Sequence, residues 1–533
     1  MARIPLWLAL TLCAAVGTCS GALTLPAVRR SSALTPGVRP VLRVRGGEGD
    51  DVKFDHQGVY GTVCTHSMTL TGVWSTKVRG KDVDAPAETI RVIPMKVDCI
   101  AEWIPNLTRA ENPMVKKMWP VSSNFCDNEE SIISVLYVNS KRAQAKEINT
   151  RQWLRAGPRR EIRFKPEKVV AAIVTCGGLC PGLNNVIREV TMTLLSTYKA
   201  RKVWGIPFGY MGFYSEPWRE LTEEGVDQIH RRGGTILGSS RGGHDLEKIM
   251  EALIKFNVNQ VFVVGGDGTH RGANAISKEA ASRQIAMTVA GVPKTIDNDV
   301  AFIDKSFGFD TAVQAAASVI QCASVEATDA HDGIGIVKLM GRECGFVAMH
   351  ATLAAGDVDI CLIPEVSFDL DLLFDYVKSK LDTKGNCLIV VAEGAGQEYF
   401  EGVDLGTDLS GNKKLPDVGQ LIKDKAKDWF KSNYDRTVNV RYIDPSYQVR
   451  SVPTIASDSI YCSALGSNVV HGAMTGLTGF SCGKINDRYA YIPIDEMCDP
   501  KRTVRIDSQN RMYMRMLRQT GQPNFQKDGG LHQ

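Results

Sequence analysis

The 533-residue chain has no run of about eighteen apolar residues, the length a helix needs to cross a bilayer, so no spanning helix is expected. Its 14 cysteines stand singly in apolar segments without a CxxC pair, which argues against a zinc site or a dense disulfide framework. A basic surplus is missing as well. Lys and Arg number 63 against 59 acids, a net +4, and residues 1–47 hold six Arg and no acid, so the remainder counts 57 minus 59, or −2. That balance excludes a protein that neutralises nucleic-acid phosphates with an excess of Lys and Arg. No GxGxxG follows a β-favouring run; TCGGLCPG at 175–182 does not fit, which removes a dehydrogenase reading.

What remains is ordinary globular composition, 44% hydrophobic and 23% charged, in a chain long enough for two or three domains. The start reads as an address. Residues 1–22 hold one Arg, an apolar run from Ile4 to Val16 and then small residues, the layout of a cleavable signal peptide. Residues 23–47 are Arg-rich, Ser-containing and free of acids, which resembles a transit peptide. Together they predict import into a plastid reached through the secretory route. A secretory or cytoplasmic location is the alternative if this segment is not a targeting signal.

Residues 48–165 show no clear period and are expected to form an N-terminal extension wrapping the main body. From Val169 the texture changes to short β-branched runs separated by helix-length stretches: VVAAIVT, VFVVGG, MTVAGVP, GIGIVKLM, DICLIPE and NCLIVVAEG. Fully apolar strands alternating with helices indicate parallel sheets covered on both faces. The fold class is α/β, and the roughly 330 residues involved exceed one comfortable core of about 250–300 residues. Two such sheets with a cleft between them are expected, with ligands at the carboxyl ends of the strands.

Glycine-rich loops occupy those ends. In VFVVGGDGTHRGANAI (261–276), Asp267 stands among Gly265, Gly266 and Gly268, and a carboxylate would repel a phosphate unless Mg²⁺ bridges the two. Gly177 and Gly178 would let backbone N–H groups approach an anion at a helix start. Arg241, followed by Gly242, offers a guanidinium fork to phosphate oxygens. GVPKTIDNDV (291–300) packs Lys294, Thr295, Asp297 and Asp299 into six residues. One carboxylate there can take the proton of an attacking hydroxyl while a cation neutralises the transferring phosphoryl group, and Asp297 is assigned that role.

GGDGT, PKTIDND, KSFGFDTA (305–312) and KLMGRECGF (338–346) together resemble the phosphofructokinase family. AGPR, TCGGLCPGLN, GGTILGSSRGG, VAEGAGQ and YIDPSYQVR follow in family order from about Ala156 to Pro493. The resemblance is greatest to the plant and protist type, whose members carry a comparable N-terminal extension. It implies two Rossmann-like three-layer αβα domains with parallel-rich sheets. A nucleotide-binding domain would span 166–310, completed by about 451–493. A sugar-phosphate-binding domain would span 311–450, and 494–533 would form a tail.

The resemblance further implies an ATP-dependent 6-phosphofructokinase that phosphorylates the 1-hydroxyl of fructose 6-phosphate in glycolysis, with Mg²⁺ as cofactor. ATP would lie on Gly177, Gly178, Arg241, Gly242 and the stretch Gly265, Gly266, Asp267, Gly268, Thr269, with Asp267 holding the metal. Thr295, Ile296, Asp297, Met340, Gly341, Arg342 and Glu393 would contact the sugar. Arg441, Tyr447 and Arg450 would clamp its existing phosphate. Catalysis would fall to Asp297, Arg342, Asp299 and Thr295. The family implies effector regulation and a homotetramer, with no nucleic-acid partner and no membrane contact in the mature form.

Bacterial members have an Arg seven residues before the Met of MGR, where this chain has Gly333, and often a His where Tyr447 stands. Lys338 is the candidate to replace part of that charge. For the donor, Gly268 with Lys294 matches plant and trypanosomatid ATP users. An Asp after GGD, as in pyrophosphate users, would place bulk and charge where the α-phosphate must pass. A pyrophosphate-dependent enzyme and a non-catalytic regulatory paralogue are the alternatives.

Overall fold

Three of the β-branched runs, Val170–Thr175, Gln260–Gly265 and Thr288–Pro293, lie with Lys202–Ile206 as adjacent parallel strands in the computed structural model. Every residue of these three runs is buried, because helices cover both faces of a parallel sheet. The structure describes residues 42–45, 51–52, 68–72, 75–78 and 81–84. From 88 it describes the chain except 108, 118–124, 129, 135–146, 408–413, 500–503, 508–509 and 528–533. The signal and transit-like readings therefore lie outside the described residues. Among the described residues, no helix is long and apolar enough to cross a membrane.

By contacts the chain divides into two units. The first, Met1–Val41 with Val73–Ala87, is described only at the antiparallel pair Ser75–Val78 and Lys81–Asp84. The second unit holds two sheets. The larger has 13 strands, and its parallel heart continues through Phe480–Ile485 into the antiparallel hairpin partner Arg488–Pro493. Glu147–Arg155 then pairs with Arg488–Pro493, and Glu88–Pro94 pairs with Glu147–Arg155.

The strands Glu88–Pro94 and Glu147–Arg155 of the 48–165 segment, expected to wrap the body, thus extend the sheet. No apolar alternation announced this, because the 147–155 strand buries polar residues: Thr150 and Gln152 are buried beside Trp153, and Gln152 donates to Ser131 Oγ on a neighbouring strand. The smaller sheet is parallel throughout, in the order Ile360–Leu362, Asn386–Ala392, Gly333–Leu339, Asn439–Ile443.

Helices follow the strands. Asp267–Ser282 directly follows Gly265 and turns His270, Ala273, Ile276, Ser277 and Ala280 inward, the three- and four-residue spacing of one helical face. The 20-residue helix Phe309–Thr328 packs Ala312, Ala316, Ile320 and Ala323 into the core that joins both sheets. Both sheets release their loops at the carboxyl ends of parallel strands, where open α/β sheets place ligands. Residues 176–178, 266–269 and 294–299 leave the larger sheet; 340–345, 393–394 and 444–450 leave the smaller one.

Candidate active site

Each loop is fixed by backbone contacts before any side chain is aimed. Gly177 has φ +87°, a conformation that favours glycine, and its N–H donates to Ser240 O at 2.9 Å while Ser239 Oγ donates to its carbonyl at 2.6 Å. The 239–242 loop is thereby pinned to the first glycine loop, with an Arg241 Nη 3.6 Å from where a Gly178 Cβ would stand. Gly266 caps the Asp267–Ser282 helix in extended conformation, so the free N–H groups of that first turn face the cavity. Lys294 N donates to Gly265 O at 2.9 Å, which seats the 294–299 loop against the 266–269 loop.

That second loop is held from below. Asn298 adopts φ +59°, and its Oδ1 accepts from Ser306 N at 2.7 Å, while Ser306 Oγ donates to Thr295 O at 2.7 Å. Thr295 Oγ1 accepts from Asp297 N at 3.1 Å. From the smaller sheet, Cys344 Sγ donates to the Asp297 carbonyl at 3.4 Å, and Gly394 N donates to Gly341 O at 3.0 Å. The 340–345 loop therefore closes on the 294–299 loop from the opposite sheet, with the 393–394 loop tied to it.

These loops enclose one cavity of about 660 Å³. It is lined by Gly177, Gly178, Arg241, Gly242 and the full stretch Gly265 to Thr269 from the larger sheet. Lys294, Thr295, Ile296, Asp297 and Asp299 line its middle. Met340, Arg342, Glu393 and Arg450 come from the smaller sheet. Gly341 supports this wall at φ +133°, where a Cβ would stand 2.4 Å from Cys344 O. Arg450 Nε is buried without a hydrogen-bond partner among the described residues.

Arg441 and Tyr447 are not brought to the cavity. Arg441 is exposed and 3.6 Å from Glu326. Tyr447 is 76% exposed, with the Arg450 guanidinium 4.8 Å from its ring centre. Lys338 is committed elsewhere, to Asp444 at 2.8 Å and Asp417 at 3.0 Å, so its charge is already matched within the smaller sheet.

The charges in the cavity are acid-rich. Burial, with Asp299 and Glu393 nearby, pushes the Asp297 carboxyl up to about 8 against the pull of Arg342 and Lys294. Its Oδ1 is buried without a hydrogen-bond partner among the described residues, a state that native proteins seldom leave unexplained. Asp299 and Asp267 open onto the cavity, yet the protein crowding each raises its carboxyl, and each further raises or meets a neighbour: Asp267 adds to the rise of Asp299, while Arg271 lowers Asp267. Glu393 is raised by burial despite Arg342. Lys294 is lowered by burial, and its Nζ donates to Gly178 O at 2.7 Å.

Two raised carboxyls facing open space, Asp267 and Asp299, suit a divalent cation that takes one or two carboxylates and completes its shell with phosphate oxygens and water. Among the described residues, no group of three or more His, Cys, Asp or Glu forms a self-sufficient metal cage, so a cation here would depend on its phosphate partner.

Sequence reasoning passed over several lining residues: Tyr210, whose OH donates to Thr269 O at 2.6 Å, His244, Arg271, Ser446 and Met497. Arg271 was legible in principle, since it stands four residues after Asp267 on one helix face. Tyr210 and Met497 come from distant segments with no pattern of their own. His270 is a packing residue: its ring contacts Gly266 O and Ser481 Oγ at 3.1 and 3.0 Å, and burial drives it down to about 4, hence neutral.

A family profile described as Phosphofructokinase matches residues 170–473. The ATP-dependent 6-phosphofructokinase 7 of Arabidopsis thaliana is 49% identical over 378 residues, 70% of this chain and 77% of that one. The same plant's chloroplastic ATP-dependent 6-phosphofructokinase 4 is 43% identical over 448 residues, 83% of each chain. The ATP-dependent 6-phosphofructokinase of Trypanosoma brucei brucei is 43% identical, covering 66% of this chain and 74% of its own. Among solved structures, the pyrophosphate-dependent phosphofructokinase from Marinobacter aquaeolei has a TM-score of 0.56 at 19% identity, covering 67% of this chain and 92% of that one, which shows a shared fold.

Proposed function

The chain belongs to the phosphofructokinase family, and on that premise we propose that it transfers the γ-phosphoryl group of ATP to the 1-hydroxyl of fructose 6-phosphate, the committed phosphorylation of glycolysis. The observation that carries this reading is the shared cavity. Asp267 with its glycine loops and Asp297 with Arg342 and Glu393 from the opposite sheet line the same 660 Å³ space, so donor and acceptor can meet there.

The polyphosphate would rest on the backbone N–H groups at Gly177, Gly178 and the start of the Asp267–Ser282 helix, with Arg241 on its oxygens. Mg²⁺ held by Asp267, with Asp299 alongside, would neutralise charge on the transferring group. Asp297, carrying the unpartnered Oδ1, takes the proton of the sugar hydroxyl. The raised affinity of that carboxyl for protons is what a general base working near neutral pH needs. Arg342 supplies a fixed positive charge that counts most when negative charge peaks in the transition state. Met340, Glu393 and the loop around Thr295 and Ile296 shape the sugar side, and Arg450, with its unpaired Nε, faces the existing phosphate.

ATP as donor is supported by Gly268 and by relatives named as ATP-dependent enzymes at 43–49% identity. Turnover measured with fructose 6-phosphate, Mg²⁺ and either ATP or pyrophosphate tests the reading. ATP should support it and pyrophosphate should not; turnover with pyrophosphate alone overturns it. A plastid address is supported by the composition of residues 1–47 and by two relatives named as chloroplastic; a fluorescent fusion to that segment should colocalise with plastids. Exposed Arg441 and Tyr447 suit completion of the phosphate clamp in a homotetramer, which light scattering of the mature chain would read as four times the monomer mass.

A further inference from the structure

Residues 504–507 and 510–527 of the C-terminal segment lie far along the chain from the cavity loops, yet they are built into the smaller sheet's lobe. Ile506, Tyr513 and Met516 are buried in the main core. The Gln522 side-chain amide accepts from Cys361 N at 2.7 Å and donates to Cys361 O at 3.1 Å, so it continues the edge of the Ile360–Leu362 strand. Phe525 O accepts from Asp369 N at 2.8 Å.

Between this segment and the cavity stands Glu365, a half-buried acid that the reaction above does not use. One carboxylate oxygen accepts from Ile506 N at 3.0 Å. Both oxygens accept from Gly345 N, at 3.1 and 3.0 Å. Gly345 caps the helix Phe346–Ala355 and ends the loop that carries Met340 and Arg342. A Cβ on Gly345 would stand 2.3 Å from Ile363 Cγ2 and 3.2 Å from Glu365 Oε2, so the 363–365 stretch is packed directly against the loop's end. The next residue inward, Cys344, donates to the Asp297 carbonyl. Outside, Arg505 approaches Glu343 at 3.4 Å, an exposed pair of small worth.

We propose that Glu365 is a positioning residue for phosphoryl transfer, its carboxylate tying the 340–345 loop to the C-terminal segment and so fixing where Arg342 and the Asp297 backbone stand. The contact runs from Ile506 N–H through the carboxylate to Gly345 N–H, and from Cys344 Sγ to the Asp297 carbonyl. Oε1 accepts from both N–H groups and Oε2 adds a second contact to Gly345 N, so the tie is lost when both acceptors are removed. With both oxygens gone, as in methionine or alanine, the two N–H groups lose their acceptor and the loop's end is released. The inference rests on the function proposed above, because it assigns Glu365 a task in that reaction.

Steady-state kinetics of the full chain with ATP and fructose 6-phosphate, and hydrogen exchange over peptides covering 340–346, test it in E365M and E365A. Both variants remove the accepting oxygens, E365M while keeping the side chain's length, and thermal unfolding checks that each is folded; E365A decides if E365M is not. A shift in positioning of an ångström or so costs on the order of 10- to 100-fold in kcat, so a fall of that size is expected, with faster exchange at 340–346. KM for ATP should stay within about twofold, because its loops sit on the other sheet and only transition-state contacts are lost. A kcat within about twofold of the parent, or a KM for ATP rising in step with the fall in kcat, overturns the proposal. If the parent itself fails to turn over these substrates, the proposed function falls, and exchange at 340–346 alone decides for or against the tie.

Discussion

The Lys294 ammonium donates to the Gly178 carbonyl at 2.7 Å across 116 residues of sequence, and a Cβ on Gly177 would stand 3.0 Å from the same nitrogen. The first glycine loop is therefore shaped both by its own φ of +87° and by the lysine that crosses beneath it. Gly177→Ala meets both constraints at once. It should lower stability by about 1 kcal/mol or more, the usual cost of a side chain at positive φ, and raise KM for ATP. Thermal unfolding and ATP titration of the rate check this; a variant matching the parent in both would show the loop to be freely adjustable.

At Gly268 the expectation is different. The nearest atom to an added Cβ is an Arg271 Nη at 3.9 Å, and the backbone is ordinary helix. Gly268→Asp should fold normally, while its charge would stand where the phosphates of the proposed nucleotide pass. KM for ATP should rise by roughly tenfold or more, the effect of one unmatched like charge worth about 1.4 kcal/mol. Unchanged ATP kinetics would remove Gly268 from donor choice.

The part of the ligand-free chain's stability that the cavity acids carry should fall as pH rises. Asp297 has its folded-state value raised from 3.8 to about 8, so between those values the native chain holds a proton that the unfolded chain has lost. Stability from this source is fully present below the unfolded value and is lost as pH climbs through the folded one. Asp267, Asp299 and Glu393 are raised in the same direction. Asp297→Asn should therefore have a higher Tm than the parent near pH 8, with the gap closing toward pH 5. A variant less stable than the parent at pH 8 would contradict the crowding of acids described here.

Lys338 joins Asp417 and Asp444, and Tyr442 OH donates to the same Asp417 at 2.8 Å. Lys338→Ala leaves two acids without their shared cation and should cost roughly 1.5–3 kcal/mol, the range for hydrogen bonds to charged groups. KM for fructose 6-phosphate should be nearly unchanged. The reverse outcome, a normal Tm with weakened sugar binding, would restore Lys338 to the phosphate clamp.

The sequence carried those parts of the site that depend on local chemistry. A β-branched run ending in GGDG must become a buried strand opening onto a helix start, and so Asp267 was readable; a lysine and two acids within six residues marked the 294–299 loop in the same way. What stayed hidden depends on distant packing. Tyr210 and Met497 reach the cavity only because their segments fold back beside Thr269 and Asp267. The strand at 147–155 hides Thr150, Gln152 and Trp153 together, which no alternation of apolar residues signals. Arg441, on the strand Asn439–Ile443, and Tyr447, on the short helix Ser446–Ser451, were named by motif spacing and stand exposed, because spacing along a chain does not say which surface a residue faces.

The most direct test of the account is the turnover of Asp297→Asn with ATP, fructose 6-phosphate and Mg²⁺. The substitution keeps the side chain's shape and removes its ability to accept the hydroxyl proton. The rate should fall by about 10²- to 10⁴-fold, the usual contribution of a general base, with ATP affinity largely retained. Near-normal turnover would contradict the assignment of Asp297 as the base.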